Sequence, residues 1–229
     1  MIKLERDGDV FVLRMQDGEN KLNRPFLAEL NSTLDEVERF EGPAALVTIG
    51  EDRFYSTGLD LGWLGTQQGP DIRAFLADLH GLLARLLAFP MATVAALNGH
   101  TFAAGAFIAF SHDFRVMRED KGFVCLPEVD LAMGQPLTPG FYAVLDARLP
   151  RGTSHEMLMT GRRYPAPEAL DRQLITSIAA EAEVLPRAVE LAQGLAAKHR
   201  PTVGALKEGL YKAELSVLRA PLPDWLAGG

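Results

Sequence analysis

Short apolar runs that alternate with segments of helical periodicity constrain the fold of this chain more than any other feature. Runs of strand length occur at 44–49 and 91–97, and two shorter ones occur at 114–117 and 123–126. Between the first two, apolar residues recur every three or four positions over 72–87. This alternation predicts an α/β fold with mostly parallel strands, in which ligand sites form at the carboxyl ends of the strands.

The first part of the chain predicts a hairpin and a helix. Residues 2–5 and 10–15 alternate apolar and polar side chains around Asp7, Gly8 and Asp9, which is typical of two strands joined by a turn. A helix follows, because Asn23 and Pro25 form a start signal and Gly42-Pro43 an end signal. Farther along, the nearly all-apolar segment 103–110 predicts a buried helix.

The pattern becomes mostly helical from about Ser154, with prolines at intervals that fit short helices. We see no second core in this region. The sequence therefore predicts an α/β core over residues 1–153 and a mostly helical C-terminal region over residues 154–229. With 48% hydrophobic residues in 229, the chain can bury a sizeable core.

Composition excludes several classes of protein. A formal net charge of −7 argues against nucleic acid as a partner, because phosphates must be neutralised by lysine and arginine. No apolar stretch reaches the roughly 20 residues of a membrane-spanning helix, so we expect no membrane partner. The single cysteine, Cys125, and the lack of a secretory pattern at the N-terminus favour a cytoplasmic location.

Common cofactor and metal motifs are missing from the sequence. There is no G-x-G-x-x-G opening a helix, no G-x-x-x-x-G-K-[ST], no H-E-x-x-H and no G-x-S-x-G. The five histidines show no ligand pair at helical spacing. We therefore predict no metal site.

Two turns rich in small residues each follow a predicted buried strand, at 54–61 and 98–105. Where such a turn runs into a helix, its first N–H groups lack internal acceptors and stabilise negative charge. Two turns that face one point would form an oxyanion hole. The alternative is that the glycines only permit tight turns and the alanines only permit close packing.

These two segments resemble the fingerprints of the enoyl-CoA hydratase/isomerase (crotonase) family. Phe54-Tyr55-Ser56-Thr57-Gly58-Leu59-Asp60-Leu61 resembles the first fingerprint, and Ala95 to Gly105, continuing to Ser111-His112-Asp113, resembles the second. A third family element is matched by 123–134, where a short strand precedes Glu128 and Gly134. Within the family, the Asn-Gly-His of the second fingerprint is most similar to the plant and peroxisomal-type Δ3,Δ2-enoyl-CoA isomerases. The resemblance covers roughly residues 2–180.

The family resemblance implies a crotonase-like spiral of ββα units with a C-terminal helical region. It also implies an acyl-CoA substrate, no cofactor, and a homotrimer or a hexamer. In the family the C-terminal helices form the subunit interface and cover the acyl pocket, and four leucines suit an interface or internal packing: Leu206, Leu210, Leu215 and Leu218. Arg or Lys of this region, from the same or a neighbouring subunit, would meet the CoA phosphates.

Carried over one position at a time, the resemblance assigns the two oxyanion donors to the N–H groups of Leu59 and Ala104. The family usually has glycine at the second position, but alanine keeps the N–H. Asp60, Leu61 and Gly62 would line the pantetheine path, although Asp60 could equally be a turn residue that bonds its own backbone. Further predicted substrate-binding residues are Ser56, Gly58, Gly105, Phe107 and His100, and for His100 simple packing near the turn is the alternative.

Glu128 is the predicted catalytic carboxylate. Hydratases of the family carry a second glutamate on the helix after the second fingerprint, where this chain has Phe107. One carboxylate is sufficient to move a double bond, because it can take a proton from C2 and return it to C4. Burial would raise the pKa of Glu128, and Asp130 would raise it further if both carboxylates shared one face of an extended segment.

The sequence thus predicts an isomerase that converts a 3-enoyl-CoA to the 2-enoyl-CoA. Three alternatives stay open: an enoyl-CoA hydratase or other acyl-CoA enzyme of the family, a non-catalytic acyl-CoA binding protein, and a structural trimer partner of another enzyme. Glu128 could also be a capping or salt-bridged surface residue.

Overall fold

The protein is built on two β-sheets, as seen in a computed structural model that describes residues 2–131 and 134–223. The larger sheet has six strands in the order β1-β2-β3-β5-β7-β9, and all its neighbours are parallel except β1 and β2. The smaller sheet has three parallel strands in the order β4-β6-β8. The strands are β1 (Ile2–Asp7), β2 (Val10–Met15), β3 (Ala45–Ile49), β4 (Phe54–Ser56), β5 (Ala92–Leu97), β6 (His100–Phe102), β7 (Phe114–Arg118), β8 (Val124–Cys125) and β9 (Ser177–Ala179).

Ten α-helices and two short 3₁₀ segments lie within the described residues. They are α1 (Arg24–Arg39), α2 (Leu61–Leu64), α3 (Gly69–Leu87), α4 (Ala104–Ser111), α5 (Pro139–Arg148), α6 (Arg151–Thr160), α7 (Ala166–Asp171), α8 (Val184–Gln193), α9 (Arg200–Leu210) and α10 (Lys212–Leu218), with 3₁₀ turns at Pro127–Leu131 and Glu181–Glu183. The predicted hairpin, first helix and buried helix are confirmed. Asn23 caps α1 as its start signal indicates, since its Oδ1 accepts a hydrogen bond from the N–H of Phe26 at 3.0 Å.

Consecutive strands are divided between the two sheets, which produces the spiral. β3, β5 and β7 are neighbours in the larger sheet, while β4, β6 and β8, each the next strand along the chain, are neighbours in the smaller one. Helices follow the first two of these strand pairs, so the chain repeats a ββα unit. The predicted α/β, crotonase-like spiral is confirmed.

The C-terminal region is more than a helical appendage. β9 pairs with β7 at the edge of the larger sheet, and α8 packs its buried Ala188 and Ala192 on the face of that sheet. The predicted boundary at 153/154 therefore divides one sheet and one core. The strand was missed because Ser177–Ala179 is only three residues long.

The last two helices dock on their own chain. α10 packs against α5 and α3 through the buried Leu215 and Leu218, whereas Leu206 and Leu210 of α9 are 67% and 71% exposed. The buried Lys207 amine fixes α9 by donating to the backbone oxygen of Phe89 at 2.9 Å and to other acceptors nearby. Of the four leucines predicted for an interface or for internal packing, Leu215 and Leu218 therefore pack internally, and an interface role of Leu206 and Leu210 stays a prediction.

Candidate active site

Three loops leave the carboxyl end of the smaller sheet side by side. Leu59 follows β4, Ala104 follows β6, and Glu128 follows β8. Because these strands are parallel neighbours, their carboxyl ends lie at one edge, and the three residues border the same cavity of about 400 Å³. The cavity is otherwise lined by Thr57, Leu61, Leu76, Ala103, Pro127, Leu131, Gln135, Pro136, Leu137, Thr138 and Phe141.

The two small-residue turns touch each other. A Cβ atom on Gly58 would lie 2.8 Å from the Cβ of Ala103 and 3.0 Å from the backbone nitrogen of Ala104, and the φ of Gly58 is +93°. Only glycine satisfies both constraints. The first turn is held by Leu22, whose N–H donates to the Gly58 oxygen at 2.8 Å and whose oxygen accepts from the N–H of Asp60 at 3.0 Å.

The N–H groups of Leu59 and Ala104 are available to a ligand. Within residues 2–131 and 134–223 neither donates a hydrogen bond to a protein group, and Ala104 is the first residue of α4, whose N–H has no acceptor within the helix. Ala103 reaches this position at a φ of 48°, which costs an alanine on the order of 1–3 kcal/mol. Strained backbone thus precedes an N–H without a protein acceptor at the cavity wall, and such a group can stabilise negative charge on a ligand.

The half-buried Glu128 has a carboxyl oxygen that is buried and lacks a protein partner in the described part of the chain. It lies in the 3₁₀ turn Pro127–Leu131, and its Oε2 has no hydrogen-bond partner among the described residues. Burial raises its pKa to about 7, with one opposing backbone hydrogen bond. A carboxyl group with this pKa can both accept and return a proton near neutral pH.

Asp130 does not act on Glu128 as expected. The prediction required an extended segment, but residues 127–131 form a 3₁₀ turn, in which positions two apart point in different directions. Asp130 is exposed, and burial accounts for the raised pKa of Glu128. The neighbouring Ala132 and Met133 of the third family element lie outside the described residues.

Phe107 occupies the position of the second glutamate of hydratases. Its side chain is 1% exposed, and its ring packs on Phe141 with 4.5 Å between centroids. Phe141 borders the cavity and Phe107 lies behind it, so the predicted contact of Phe107 with substrate is indirect. The surface that a second carboxylate would occupy is apolar.

Ser56 and Gly105 support the first turn from behind. The hydroxyl of the fully buried Ser56 donates to the Asn20 oxygen at 2.8 Å and accepts from the N–H of Gly58 at 3.2 Å. A Cβ on Gly105 would lie 2.6 Å from the Cβ of Ser56, so glycine permits this approach. Neither residue is among those that line the cavity, and their contact with substrate stays a prediction.

The predicted pantetheine residues have different roles. Asp60 caps α2, since its Oδ1 accepts from the N–H of Trp63 at 3.0 Å, which agrees with the alternative interpretation of a turn residue. Leu61 is 61% exposed and borders the cavity mouth. Gly62 lies within α2 and is not among the cavity-lining residues.

His100 lies away from the cavity. It begins β6, whereas the cavity is at the carboxyl end of that strand, and its ring lies among Phe54, Phe102 and Phe123 at centroid distances of 5.1–5.6 Å. His100 is not among the residues that line this cavity, and the alternative of packing near the turn agrees with these ring contacts.

The sequence interpretation missed the closed end of the cavity. Leu76, Thr138 and Phe141 are 7%, 5% and 5% exposed there. The start signal of α5, Thr138-Pro139, with Phe141 on its buried face, could have indicated the helix but not its contact with α3.

Other chemistry has little support in the described residues. Among them, no three His, Cys, Asp or Glu side chains are grouped so that they could hold a metal ion. No helix among them combines the length and apolar character needed to cross a bilayer. The predicted lack of a cofactor stays a prediction.

Comparisons with known proteins agree with this geometry. Residues 5–221 match the Enoyl-CoA hydratase/isomerase family. The chain is 34% identical to the peroxisomal enoyl-CoA delta isomerase 2 of Arabidopsis thaliana, covering 95% of each chain, and 35% identical to a probable enoyl-CoA hydratase of Bacillus subtilis, covering 84% of this chain and 74% of the relative. The crystal structure of an enoyl-CoA hydratase from Mycobacterium ulcerans superposes with a TM-score of 0.88 at 28% identity, covering 96% of this chain and 95% of that one.

The match extends over nearly the whole chain and includes both turns, the glutamate and the spiral of strands. The protein therefore belongs to the enoyl-CoA hydratase/isomerase, or crotonase, family.

Proposed function

We propose that the protein is an enoyl-CoA isomerase that converts a 3-enoyl-CoA to the 2-enoyl-CoA. The observation that carries this proposal is the buried, unpartnered oxygen Oε2 of Glu128, in one cavity with the N–H groups of Leu59 and Ala104, which donate to no protein group among the described residues. A base and two oxyanion donors are the groups that proton removal next to a thioester requires.

The oxyanion hole stabilises the intermediate. The thioester oxygen accepts hydrogen bonds from Leu59 and Ala104, and negative charge develops on that oxygen as the C2 proton leaves. Both donors are backbone groups whose neighbours are fixed by backbone hydrogen bonds: Leu22 bonds the residues on either side of Leu59, and the Cys125 oxygen accepts from the N–H of Ala103. The donors therefore need no rearrangement during the reaction. One such donor typically contributes about 100- to 1000-fold to turnover.

Glu128 transfers the proton. As the C2–H bond breaks, its electrons enter a dienolate, and Glu128 becomes protonated. Glu128 then returns the proton to C4, which leaves the double bond between C2 and C3. No atom is gained or lost, and the reaction needs no oxidant or reductant.

The apolar surface formed by Phe107 and Phe141 supports isomerisation over hydration. Adding water across a double bond needs a positioned base and a positioned acid. The position that would supply the second group is occupied by the buried Phe107, whose ring packs on Phe141 at an interplanar angle of 42°. Because one relative is named a hydratase, water addition is the second reaction to assay.

We also propose that the protein assembles as a homotrimer or a hexamer through the exposed Leu206 and Leu210 of α9. The predicted pocket cover from 154–229 has no support in the structure, because among the described residues the cavity is lined by residues between Thr57 and Phe141. The cytoplasmic location stays a prediction, and the Arabidopsis relative is named peroxisomal.

The test is conversion of 3-hexenoyl-CoA, followed by the ultraviolet absorbance of the conjugated 2-enoyl thioester. We expect the wild-type protein to convert it and Glu128→Gln to lose at least about 1000-fold of the rate, because the amide cannot accept the proton. Asp130→Asn is the matched control, since it removes an exposed carboxylate two residues away and should leave the rate unchanged.

Any of three results would contradict the proposal. Conversion that survives in Glu128→Gln would show that another group is the base. Hydration of 2-hexenoyl-CoA faster than isomerisation of the 3-isomer would identify a hydratase, and binding of CoA esters without turnover would identify a binding protein.

A further inference from the structure

The reaction cavity has an open mouth and a closed end. Leu61 and Leu131, at one end, are 61% and 44% exposed, whereas Thr138 and Phe141, at the other, are each 5% exposed. Only the mouth has room for the large polar CoA group. The acyl chain therefore points its distal carbons toward Thr138 and Phe141.

A second cavity of about 240 Å³ lies directly behind this closed end. It is formed between α3, α5 and α10, and it is bordered by His80, Pro139, Gly140 and Val217 and by the segment Ala220–Pro223. Pro139 and Gly140 border the second cavity, while their neighbours Thr138 and Phe141 border the first. One turn of α5 therefore separates the two spaces.

His80 completes this separation. Its Nε2 lies 2.7 Å from the Thr138 hydroxyl, and its ring meets the Phe141 ring edge-on, with 5.4 Å between centroids. The side chain is 2% exposed. A Cβ on residue 140 would lie 2.6 Å from the imidazole, so Gly140 allows the ring to fill the gap. We name His80, Thr138, Gly140 and Phe141 the partition.

We propose that His80 is a positioning residue that sets the acyl-chain length by holding the partition closed. In the wild-type protein the chain ends against Thr138 and Phe141. The first cavity, at about 400 Å³, is near the lower end of the roughly 300–1,000 Å³ range of ligand pockets, which suits a short acyl group. Without the imidazole, a longer chain extends into the second cavity, whose lining is largely apolar.

The inference rests on the proposed isomerase function and is tested by the ratio of two rates. We compare kcat/KM for 3-hexadecenoyl-CoA and 3-hexenoyl-CoA in the wild type, His80→Ala, His80→Phe and, as a control, His155→Ala at an exposed histidine of α6. The ratio divides out any loss of folded enzyme. A single methylene group that does not fit a pocket changes the ratio of kcat/KM between two substrates by about 10-fold or more.

We expect the wild type to favour the short substrate, and His80→Ala to raise the long-to-short ratio by at least about tenfold. His80→Phe keeps the ring volume and should keep the wild-type ratio, as should His155→Ala. Equal rates on both substrates in the wild type, or an unchanged ratio in His80→Ala, would overturn the inference. So would a ratio that rises as much in His80→Phe.

A binding measurement separates this inference from the isomerase proposal. If the wild type isomerises neither substrate, the proposed function fails, and the Kd values of hexanoyl-CoA and hexadecanoyl-CoA are compared by calorimetry instead. The partition then predicts tighter relative binding of the long ester in His80→Ala than in the wild type. An unchanged ratio of Kd values would refute the partition whatever the reaction.

Discussion

Replacement of Glu128 by glutamine should stabilise the fold, and more so as the pH rises. Burial raises the pKa of this carboxyl group from 4.5 to about 7. The folded protein therefore holds a proton at Glu128 between these pH values, whereas the unfolded chain releases it. By linkage, this group makes wild-type stability fall as the pH rises from about 4.5 through about 7.

The size of the effect follows from the shift. A pKa raised from 4.5 to about 7 corresponds to about 3 kcal/mol between the protonated and ionised forms. Glutamine does not ionise in this range, so its stability advantage over the wild type should grow by about 3 kcal/mol between about pH 4.5 and about pH 8.

Urea unfolding of both proteins across this pH range measures the difference directly. Glu36→Gln, on the exposed face of α1, is the control, because it shows how the removal of one surface carboxylate changes the free energy of unfolding. A flat difference for Glu128→Gln would mean that folding leaves the pKa of this carboxyl group unchanged, and a difference that falls as the pH rises would mean that the folded protein stabilises the carboxylate. Glu128 would then be too weak a base for the proposed reaction.

Two further predictions concern the oxyanion turn and acid stability. Gly58→Ala places a Cβ 2.8 Å from the Ala103 Cβ and 3.0 Å from the Ala104 nitrogen at a φ of +93°, so it should displace the oxyanion turns and lower turnover about 100- to 1000-fold; unchanged turnover would contradict the role of these turns. His80 and His112 are buried, and burial lowers the pKa of each to about 4. Because the unfolded chain takes up these protons from about pH 6.5 downward, the free energy of unfolding should fall as the pH is lowered from about 6.5 to about 4. Urea unfolding in the Glu128→Gln background isolates this loss. A urea midpoint that stays constant over this range would contradict the prediction.

Of the larger sheet, β3 and β5 were predictable from sequence because they are five and six residues long and almost continuously apolar, and β7 was predictable from the apolar run 114–117. Of the smaller sheet, only β8 was predicted, within the apolar run 123–126. The strands β4 and β6 were missed because they have three residues each, too few for a periodicity to be recognised. The turns after the strands of the smaller sheet were found through family fingerprints, which identified Leu59, Ala104 and Glu128.

Contacts between elements far apart in the chain limited the rest of the site prediction. The closed end of the cavity joins Leu76 of α3 to Phe141 of α5, and no local pattern reports that contact. Proximity in sequence is also a poor guide to the cavity: His100 is four residues before Ala104, yet it begins a strand whose other end holds the cavity.

The distribution of satisfied and unsatisfied polar groups supports a ligand in the first cavity. In the core, the buried Thr48 hydroxyl bonds the Tyr55 hydroxyl at 2.8 Å and His112 at 3.0 Å, so these buried polar groups have partners. At the cavity, the strained Ala103 and the unpartnered Oε2 of Glu128 both cost stability. Their cost is explained if a substrate supplies the missing partners, because strain and desolvation then favour the bound transition state.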